Sequence, residues 1–233
     1  MEALQHDIAE CAVFEDDLPF DPTSIGDPDG PLVAGVDQAF LTDRDPEQAV
    51  SAIVVLRGDE VIERVHAVSR VDIPYVPGLL AFREGGPILD AFAELETDPA
   101  LALFDGSGRI HYREAGLATH VGVTLDLPSV GVAKSLLCGT PERPVDELAV
   151  GDRVPVRGDG RMPTDEVVGY AYQSRQYPNA HRINPLYVSP GHRVRAETAV
   201  DVVARCGGAY KLPEPTRLAD AYADEVKREL VGQ

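Results

Sequence analysis

Leu32-Val33-Ala34-Gly35-Val36-Asp37 is an apolar run that ends on a single carboxylate, and it decides how the chain is interpreted. A second run of this kind, Ala100 to Phe104, ends on Asp105 and is followed by Gly106. A third acid, Glu84, follows the apolar residues 79–82 and Arg83. Two acids at the ends of neighbouring strands and one from a helix offer the hard oxygen ligands that divalent cations prefer. Such a site suits metal-assisted hydrolysis of a phosphodiester.

Apolar spacing along the chain predicts a mixed α/β sheet flanked by helices. The first three predicted strands follow one another as hairpin strands, and the later strands alternate with helices. This order is typical of a mixed sheet. Strands are predicted at 31–41, 50–58, 61–70, 100–105, 128–133 and 167–176, and helices at 1–13, 79–96, 112–125, 196–206 and 216–230. Residues 142–165 are predicted to form a loop or small hairpin. We expect an N-terminal helix and connector over 1–30 and one domain over 31–233.

Charge is distributed unevenly over the 233 residues. The net charge is −18, but residues 1–152 carry −20 whereas residues 153–217 carry +4. The basic segment includes Arg175, Arg182, Arg193 and Arg195, and it predicts a phosphate-facing surface. Only three lysines stand against 18 arginines, and an acidic, lysine-poor chain indicates adaptation to high salt, as in a halophile.

Three widely spaced cysteines and the lack of a signal peptide or membrane span predict a cytoplasmic protein with reduced thiols. Membrane partners are not expected. A monomer is expected, although no sequence feature fixes the oligomeric state.

A series of short motifs resembles the endonuclease V family. The motifs are VAGVD (33–37), PYVPG (74–78), LAFRE (80–84), FDGSG (104–108), GLATHVGV (116–123), PSVGVAKSLL (128–137), NPLYVSPGHRV (184–194) and LPEPTRLAD (212–220). They occur in the family's order and cover most of residues 30–220. The resemblance implies a ribonuclease H-like fold, in which the first and fourth strands lie side by side and bring Asp37 and Asp105 together.

The resemblance also implies a metal site and a reaction. Asp37 and Asp105 would bind Mg²⁺ directly, with Mn²⁺ as a substitute, and Glu84 would bind through water or hold a second ion. His192 is predicted to orient the attacking water or touch the scissile phosphate, the alternative being a surface histidine or helix cap. Lys134 would place a positive charge near the phosphate, the alternative being a lysine at a strand end whose charged tip reaches solvent.

Base recognition is assigned by the resemblance to the turn Pro74-Tyr75-Val76-Pro77, which acts in the family as a wedge that fills the gap left by an unstacked base. The extruded base would lie near three further residues, Gly78, Leu80 and Gly106, where close backbone approach lets main-chain groups read its edge. His111 and Arg113 are expected near the DNA backbone.

Three departures from the family pattern stand out. Ser107 replaces the histidine of the usual DGHG, and Tyr112 and Glu114 replace a proline and an arginine of the usual HPRR. FREGGP carries one extra residue after Glu84.

The predicted function is a Mg²⁺-dependent repair endonuclease. It would recognise deoxyinosine in DNA and nick the second phosphodiester bond on the 3′ side, leaving a 3′-hydroxyl and a 5′-phosphate. The alternatives are an endoribonuclease acting on inosine-containing RNA, a non-catalytic reader of inosine or branched DNA, and a junction or flap nuclease.

Overall fold

The structure is a computed structural model that describes residues 1–74, 76, 78–177 and 183–232. In this part of the chain, no helix combines the length and the apolar character needed to cross a membrane.

The described residues form a single nine-stranded mixed sheet. Its strands are β1 (Val33–Leu41), β2 (Gln48–Arg57), β3 (Glu60–Arg70), β4 (Leu101–Asp105), β5 (Ser129–Ala133), β6 (Thr140–Pro141), β7 (Arg153–Arg157), β8 (Val167–Tyr172) and β9 (Leu186–His192). The spatial order is β3-β2-β1-β4-β5-β9-β8-β7-β6, in which β1, β4 and β5 run parallel and the other neighbours are antiparallel. The three parallel strands therefore end at the same edge of the sheet.

Helices cover both faces of the sheet. They are α1 (Glu2–Cys11), α2 (Leu80–Phe92), α3 (Leu117–Leu125), α4 (Ala196–Arg205) and α5 (Glu214–Val231). On β4, Leu101 and Leu103 pack into the core that contains α4, whereas Ala102 and Phe104 pack into the core that contains α2 and α3. Successive strand residues point to opposite faces, so a strand buried on both faces is continuously apolar. This explains the unbroken apolar runs that precede Asp37 and Asp105.

Close packing of α5 against β1 depends on a glycine. A Cβ built on Gly35 would stand 2.0 Å from the carbonyl carbon and oxygen of Pro215, at the start of α5. The absence of a side chain at this position lets the two backbones touch. Further along α5, Ala219 and Ala223 are buried against β2.

The predicted mixed sheet is confirmed, and the first three strands lie where they were expected. Two predictions of local structure were wrong. Helix α3 begins at Leu117 rather than 112, because Glu114 has φ 54° and Gly116 is extended. Residues 186–192, where no strand was predicted, form strand β9. In addition, β7 of the predicted loop region joins the main sheet.

Candidate active site

Acidic and basic side chains meet where the parallel strands end. Asp37 follows the last β1–β4 pair, Val36 with Phe104, and Asp105 is the last residue of β4, opposite Val132 of β5. Lys134 comes directly after β5. Asp37, Asp105 and Lys134 line one open cavity of about 380 Å³, together with Glu84.

Glu84 reaches this cavity from the first turns of α2. The Gln38 side chain ties the helix to the sheet, because its Nε2 donates to the Glu84 carbonyl at 3.3 Å and to Ser51 Oγ at 2.6 Å. The neighbouring Arg83 is turned away from the cavity, and its guanidinium donates to Glu47 Oε1 at 2.6 Å. Gly85 and Gly86, which include the one extra residue after Glu84, do not interrupt the helix, which continues through Pro87.

Burial, with a smaller contribution from neighbouring negative charge, raises the pKa of two of these carboxyls. Burial raises the pKa of Asp37 to about 8, with the charge of Asp105 adding to the effect. The Gln38 amide, which donates to Asp37 Oδ1 at 2.7 Å, and Lys134 act in the opposite direction. Burial likewise raises the pKa of Glu84 to about 7, with Arg83 opposing the rise and Asp105 adding to it. The ionised site is therefore short of positive charge.

Lys134 supplies a counter-charge to Asp105. Its Nζ donates to Asp105 Oδ2 at 2.5 Å, although half of the lysine side chain is exposed. Partial burial would lower the pKa of Lys134, but the hydrogen bond and charge of Asp105, with the charges of Asp37 and Asp220, outweigh it and raise the pKa.

Asp220 is a further carboxylate at this site that the sequence interpretation did not select. It lies on the exposed side of α5, and its charge raises the pKa of both Asp37 and Lys134. It stands at the end of the motif LPEPTRLAD, within the helix predicted over 216–230. Only the packing of α5 across β1 turns this one acid, among the acids of the helix, toward Asp37.

The donor set fits a divalent cation in its chemistry. In their present geometry, the described residues contain no group of three or more His, Cys, Asp or Glu side chains that could hold a metal ion, and Lys134 is bonded to Asp105. Three carboxylates nevertheless line one cavity, and two of them have raised pKa values that a nearby cation would lower. Asp37, Glu84 and Asp105 supply the hard oxygen atoms that Mg²⁺ or Mn²⁺ requires.

His192 is not brought to this site, and its predicted catalytic role is corrected. The antiparallel register pairs Ser129 with His192 and Ala133 with Tyr187. His192 therefore lies beside the first residue of β5, whereas Lys134 follows the last one. The imidazole is buried, its Nδ1 accepts from the Val13 amide at 3.2 Å, and its Nε2 lies 3.2 Å from Asp126 Oδ1. The contact with Val13 holds the N-terminal segment to the sheet, and the contact with Asp126 joins the imidazole to the end of α3.

Two arginines of the predicted phosphate-facing surface lie in the same region. Arg193 and Arg195 follow His192 and pair with acids of the connector, Arg193 with Asp17 and Arg195 with Asp16, both at 3.0 Å. They are therefore neutralised at the edge of the sheet away from Asp105. Arg182 lies outside the described residues.

A smaller cavity of about 80 Å³ adjoins the acidic one. The expected base-recognition residues Gly78 and Leu80 line it, and Ser107 and Leu117 are shared by both cavities. Gly106 lines the acidic cavity instead, and a Cβ there would stand 3.2 Å from Leu117 Cδ2.

The wedge segment is described only in part. Pro74 and Val76 are exposed, as a wedge requires, whereas Tyr75 and Pro77 lie outside the described residues.

His111 and Arg113 lie beside the small cavity rather than on an open backbone-binding surface. His111 is buried and its Nε2 lies 3.2 Å from the Gly78 carbonyl. The guanidinium of Arg113 is held by Gln5 and Glu2 of α1. Both side chains are therefore engaged in contacts within the protein, and their position near the DNA backbone stays a prediction. Glu114, which replaces an arginine of the family pattern, also makes a contact within the protein. Its Oε1 accepts a hydrogen bond from Arg109 Nε at 2.6 Å.

Comparison with known proteins agrees with the motifs. A family model described as Endonuclease V matches residues 22–221. A relative named Endonuclease V from the halophilic archaeon Natronomonas pharaonis is 64% identical, over 97% of this chain and 90% of its own length. The crystal structure of endonuclease V from Streptomyces avermitilis is 34% identical with a TM-score of 0.82, covering 99% of this chain and 92% of its own. The Ciona intestinalis endonuclease V, solved with a DNA 24mer containing an inosine, shares the fold at 24% identity with a TM-score of 0.80, covering 98% of this chain and 97% of its own.

Proposed function

Because the chain belongs to the endonuclease V family and is a nuclease that hydrolyses DNA, we propose that its substrate is DNA containing deoxyinosine. It nicks the second phosphodiester bond on the 3′ side of the lesion and leaves a 3′-hydroxyl and a 5′-phosphate. The observation that carries this proposal is the junction of the two cavities. A cavity with three carboxylates and a lysine adjoins a small one lined by Gly78, Leu80 and His111.

The proposed cofactor is Mg²⁺, with Mn²⁺ as a substitute. Asp37 and Asp105 would hold it directly, and Glu84 would hold it through water or bind a second ion. When bound, the cation supplies Lewis-acid polarisation of the phosphate and an acidified water. Lys134, half exposed at the mouth of the cavity, can turn its ammonium toward a phosphate once a cation relieves Asp105. Asp220 adds a fourth carboxylate from α5.

Base recognition is proposed for the segment from Pro74 to Leu80. Its exposed part inserts beside the lesion, and the extruded base enters the small cavity. Flipping a base out of the stack costs a few kcal/mol, and less for a weakly paired base such as hypoxanthine. The weak pairing therefore favours extrusion of the lesion over normal bases.

The proposal includes the organisation of the protein. We infer one nuclease domain over 31–233, preceded by the N-terminal helix and connector, acting as a monomer. A protein that repairs genomic DNA acts inside the cell, which agrees with the predicted cytoplasmic location.

The test is nicking of three oligonucleotides that are identical except for one position, which carries deoxyinosine, inosine or unmodified deoxyadenosine. Each is incubated with Mg²⁺, with Mn²⁺ or with a chelator. We expect the deoxyinosine strand to be nicked with either metal at the second 3′ bond, and none to be nicked with the chelator. Equal nicking of all three strands would refute lesion recognition. Faster nicking of the inosine strand would assign the enzyme to RNA. Binding without nicking would identify a reader.

A further inference from the structure

The N-terminal helix reaches the segment assigned to base recognition through one buried amide. Gln5 of α1 has no solvent exposure, and its Nε2 donates to the Gly78 carbonyl at 2.8 Å. The family model begins at residue 22, so α1 lies outside the region that it describes. A polar side chain buried on an otherwise exposed short helix requires a reason, because burial without partners is costly.

Gln5 belongs to a closed ring of hydrogen bonds. Its Oε1 accepts from the Arg113 guanidinium at 3.2 Å, and the Arg113 amide donates to His111 Nδ1 at 3.2 Å. Since Nδ1 is an acceptor, Nε2 carries the proton and donates to the Gly78 carbonyl at 3.2 Å. The ring therefore returns to Gly78, whose carbonyl oxygen receives two donors and is held from two sides.

Gly78 is the residue at which the recognition segment turns into α2. It has φ +80°, a conformation that favours glycine, and a Cβ there would meet Tyr112 Cδ2 at 3.3 Å. Immediately afterwards, the Leu79 amide donates to the Val76 carbonyl at 2.9 Å and closes the turn. Gly78 therefore connects the hydrogen-bonded ring to the turn that holds the exposed Val76 and to the small cavity that Gly78 lines.

We propose that Gln5 is a positioning residue for base recognition: from α1 it fixes the Gly78 carbonyl, and with it Val76 and the wall that Gly78 contributes to the base cavity. This inference rests on the proposed function, because it assigns a purpose to the segment that the proposed function uses. Gln5 does not touch the carboxylate cavity, so its effect falls on discrimination between lesion and normal base rather than on hydrolysis.

The experiment uses the full chain with Gln5→Met, which keeps the side-chain length and removes both hydrogen bonds. Gln5→Glu is the second variant, since it keeps an acceptor for Arg113 but removes the donor to Gly78. Asp7→Asn, exposed on the same helix, is the control. Three quantities are measured: lesion preference as the ratio of dissociation constants for normal and deoxyinosine DNA, the single-turnover nicking rate at saturating enzyme, and hydrogen exchange of the Leu79 amide.

Both Gln5 variants are expected to lower the lesion preference about fivefold, the equivalent of about 1 kcal/mol, as expected for one lost hydrogen bond. They should speed Leu79 exchange by a similar factor and change the saturated nicking rate by less than about twofold. Asp7→Asn should change none of these. Because Gln5→Glu preserves the contact to Arg113, a loss of preference in both variants points to the bond with Gly78.

Unchanged lesion preference with unchanged Leu79 exchange would overturn the proposal, as would a fall confined to the nicking rate. If Gln5→Met does not fold, Gln5→Glu decides. A parent protein without lesion preference would refute the proposed function instead. In that case, Leu79 exchange alone still decides whether Gln5 positions the Gly78 carbonyl.

Discussion

Replacement of Asp37 by Asn should abolish nicking and at the same time stabilise the metal-free protein. Burial and the charge of Asp105 raise the pKa of Asp37 from 3.8 to about 8. In the unfolded chain the carboxyl ionises freely, so at pH 7 the folded state loses up to about 4 kcal/mol at this position. Asn must also be desolvated and loses the attraction of Lys134. The expected gain is therefore about 2 kcal/mol, or about 4–8 °C in Tm for a chain of this size.

The sign of the pH dependence follows from the direction of the shift. A carboxyl whose pKa is raised on folding contributes its full stability below pH 3.8, and the contribution is lost as the pH rises to about 8. The advantage of Asp37→Asn should therefore grow across this window and level off above it. Thermal unfolding in a chelator from pH 5 to pH 9 measures it, with exposed Asp98→Asn as the control.

Divalent cations should reverse the order of stability. Added Mg²⁺ should raise the Tm of the parent more than that of Asp37→Asn, because an amide is a poor ligand for a hard cation. Nicking by the variant should fall by more than about 100-fold, the upper range for outer-shell changes, while lesion binding is retained. A variant that is no more stable than the parent at pH 8 without metal would refute the claim that burial and the charge of Asp105 make the ionised Asp37 destabilising. Nicking near the parental rate would refute the metal assignment.

Four other perturbations have expected outcomes. Gly131→Ala would place a Cβ 2.4 Å from the Gly108 amide nitrogen in the loop after Asp105. We therefore expect about 1–3 kcal/mol of destabilisation and about 100-fold slower nicking. The control is Gly160→Ala, whose Cβ would meet no described atom within 4 Å and which should match the parent in stability and nicking. His192→Gln should lower the Tm because the Val13 amide loses a partner, but should leave single-turnover nicking within about twofold of the parent; a large kinetic loss at unchanged Tm would restore the catalytic role. Burial lowers the pKa of His111 to about 4. Its contribution to the free energy of unfolding is therefore full above pH 6.5 and falls by up to about 3 kcal/mol toward pH 4. His111→Gln should remove this pH dependence of the free energy of unfolding, measured by urea titration. Stability and nicking should rise or persist from about 0.1 M to about 3 M potassium chloride, because screening weakens the repulsion among the acids, and a monotonic fall in both would contradict the halophilic interpretation.

The apolar runs predicted the centre of the fold well because β1, β4 and β5 are buried on both faces. A strand with two buried faces can tolerate a carboxylate only beyond its apolar core, so the run and its terminal acid identify the strand end together. Asp37 and Asp105 could therefore be selected from the sequence. Lys134 could be selected for the same reason, since it follows the apolar β5.

The parts that failed depend on contacts between distant segments. The residues Ser189-Pro190-Gly191-His192 look like a turn, but β9 pairs with both β5 and β8, and this pairing buries His192 far from Lys134. Asp220 shows the reverse case, because nothing in the local sequence distinguishes it although its charge acts on Asp37. Local periodicity makes it one exposed acid among several on a helix, and its effect on Asp37 arises from the packing of α5 against β1.

The same contacts show how the fold holds together carboxylates that repel one another. In a metal-free state, charge repulsion would move Asp105 and its loop outward, but the loop is held from below. Ser189 Oγ, from β9, accepts from the Gly108 amide at 2.9 Å, and Gly131 of β5 leaves room for that loop to lie directly on the strand. The segment SPGH therefore does contribute to the active site, through Ser189 and the position of the loop rather than through the histidine that made the motif conspicuous. Ser189 lies under the loop that follows Asp105, and this explains why the motif belongs to the nuclease signature. The imidazole of His192, in the same motif, stays buried at the other end of the strand.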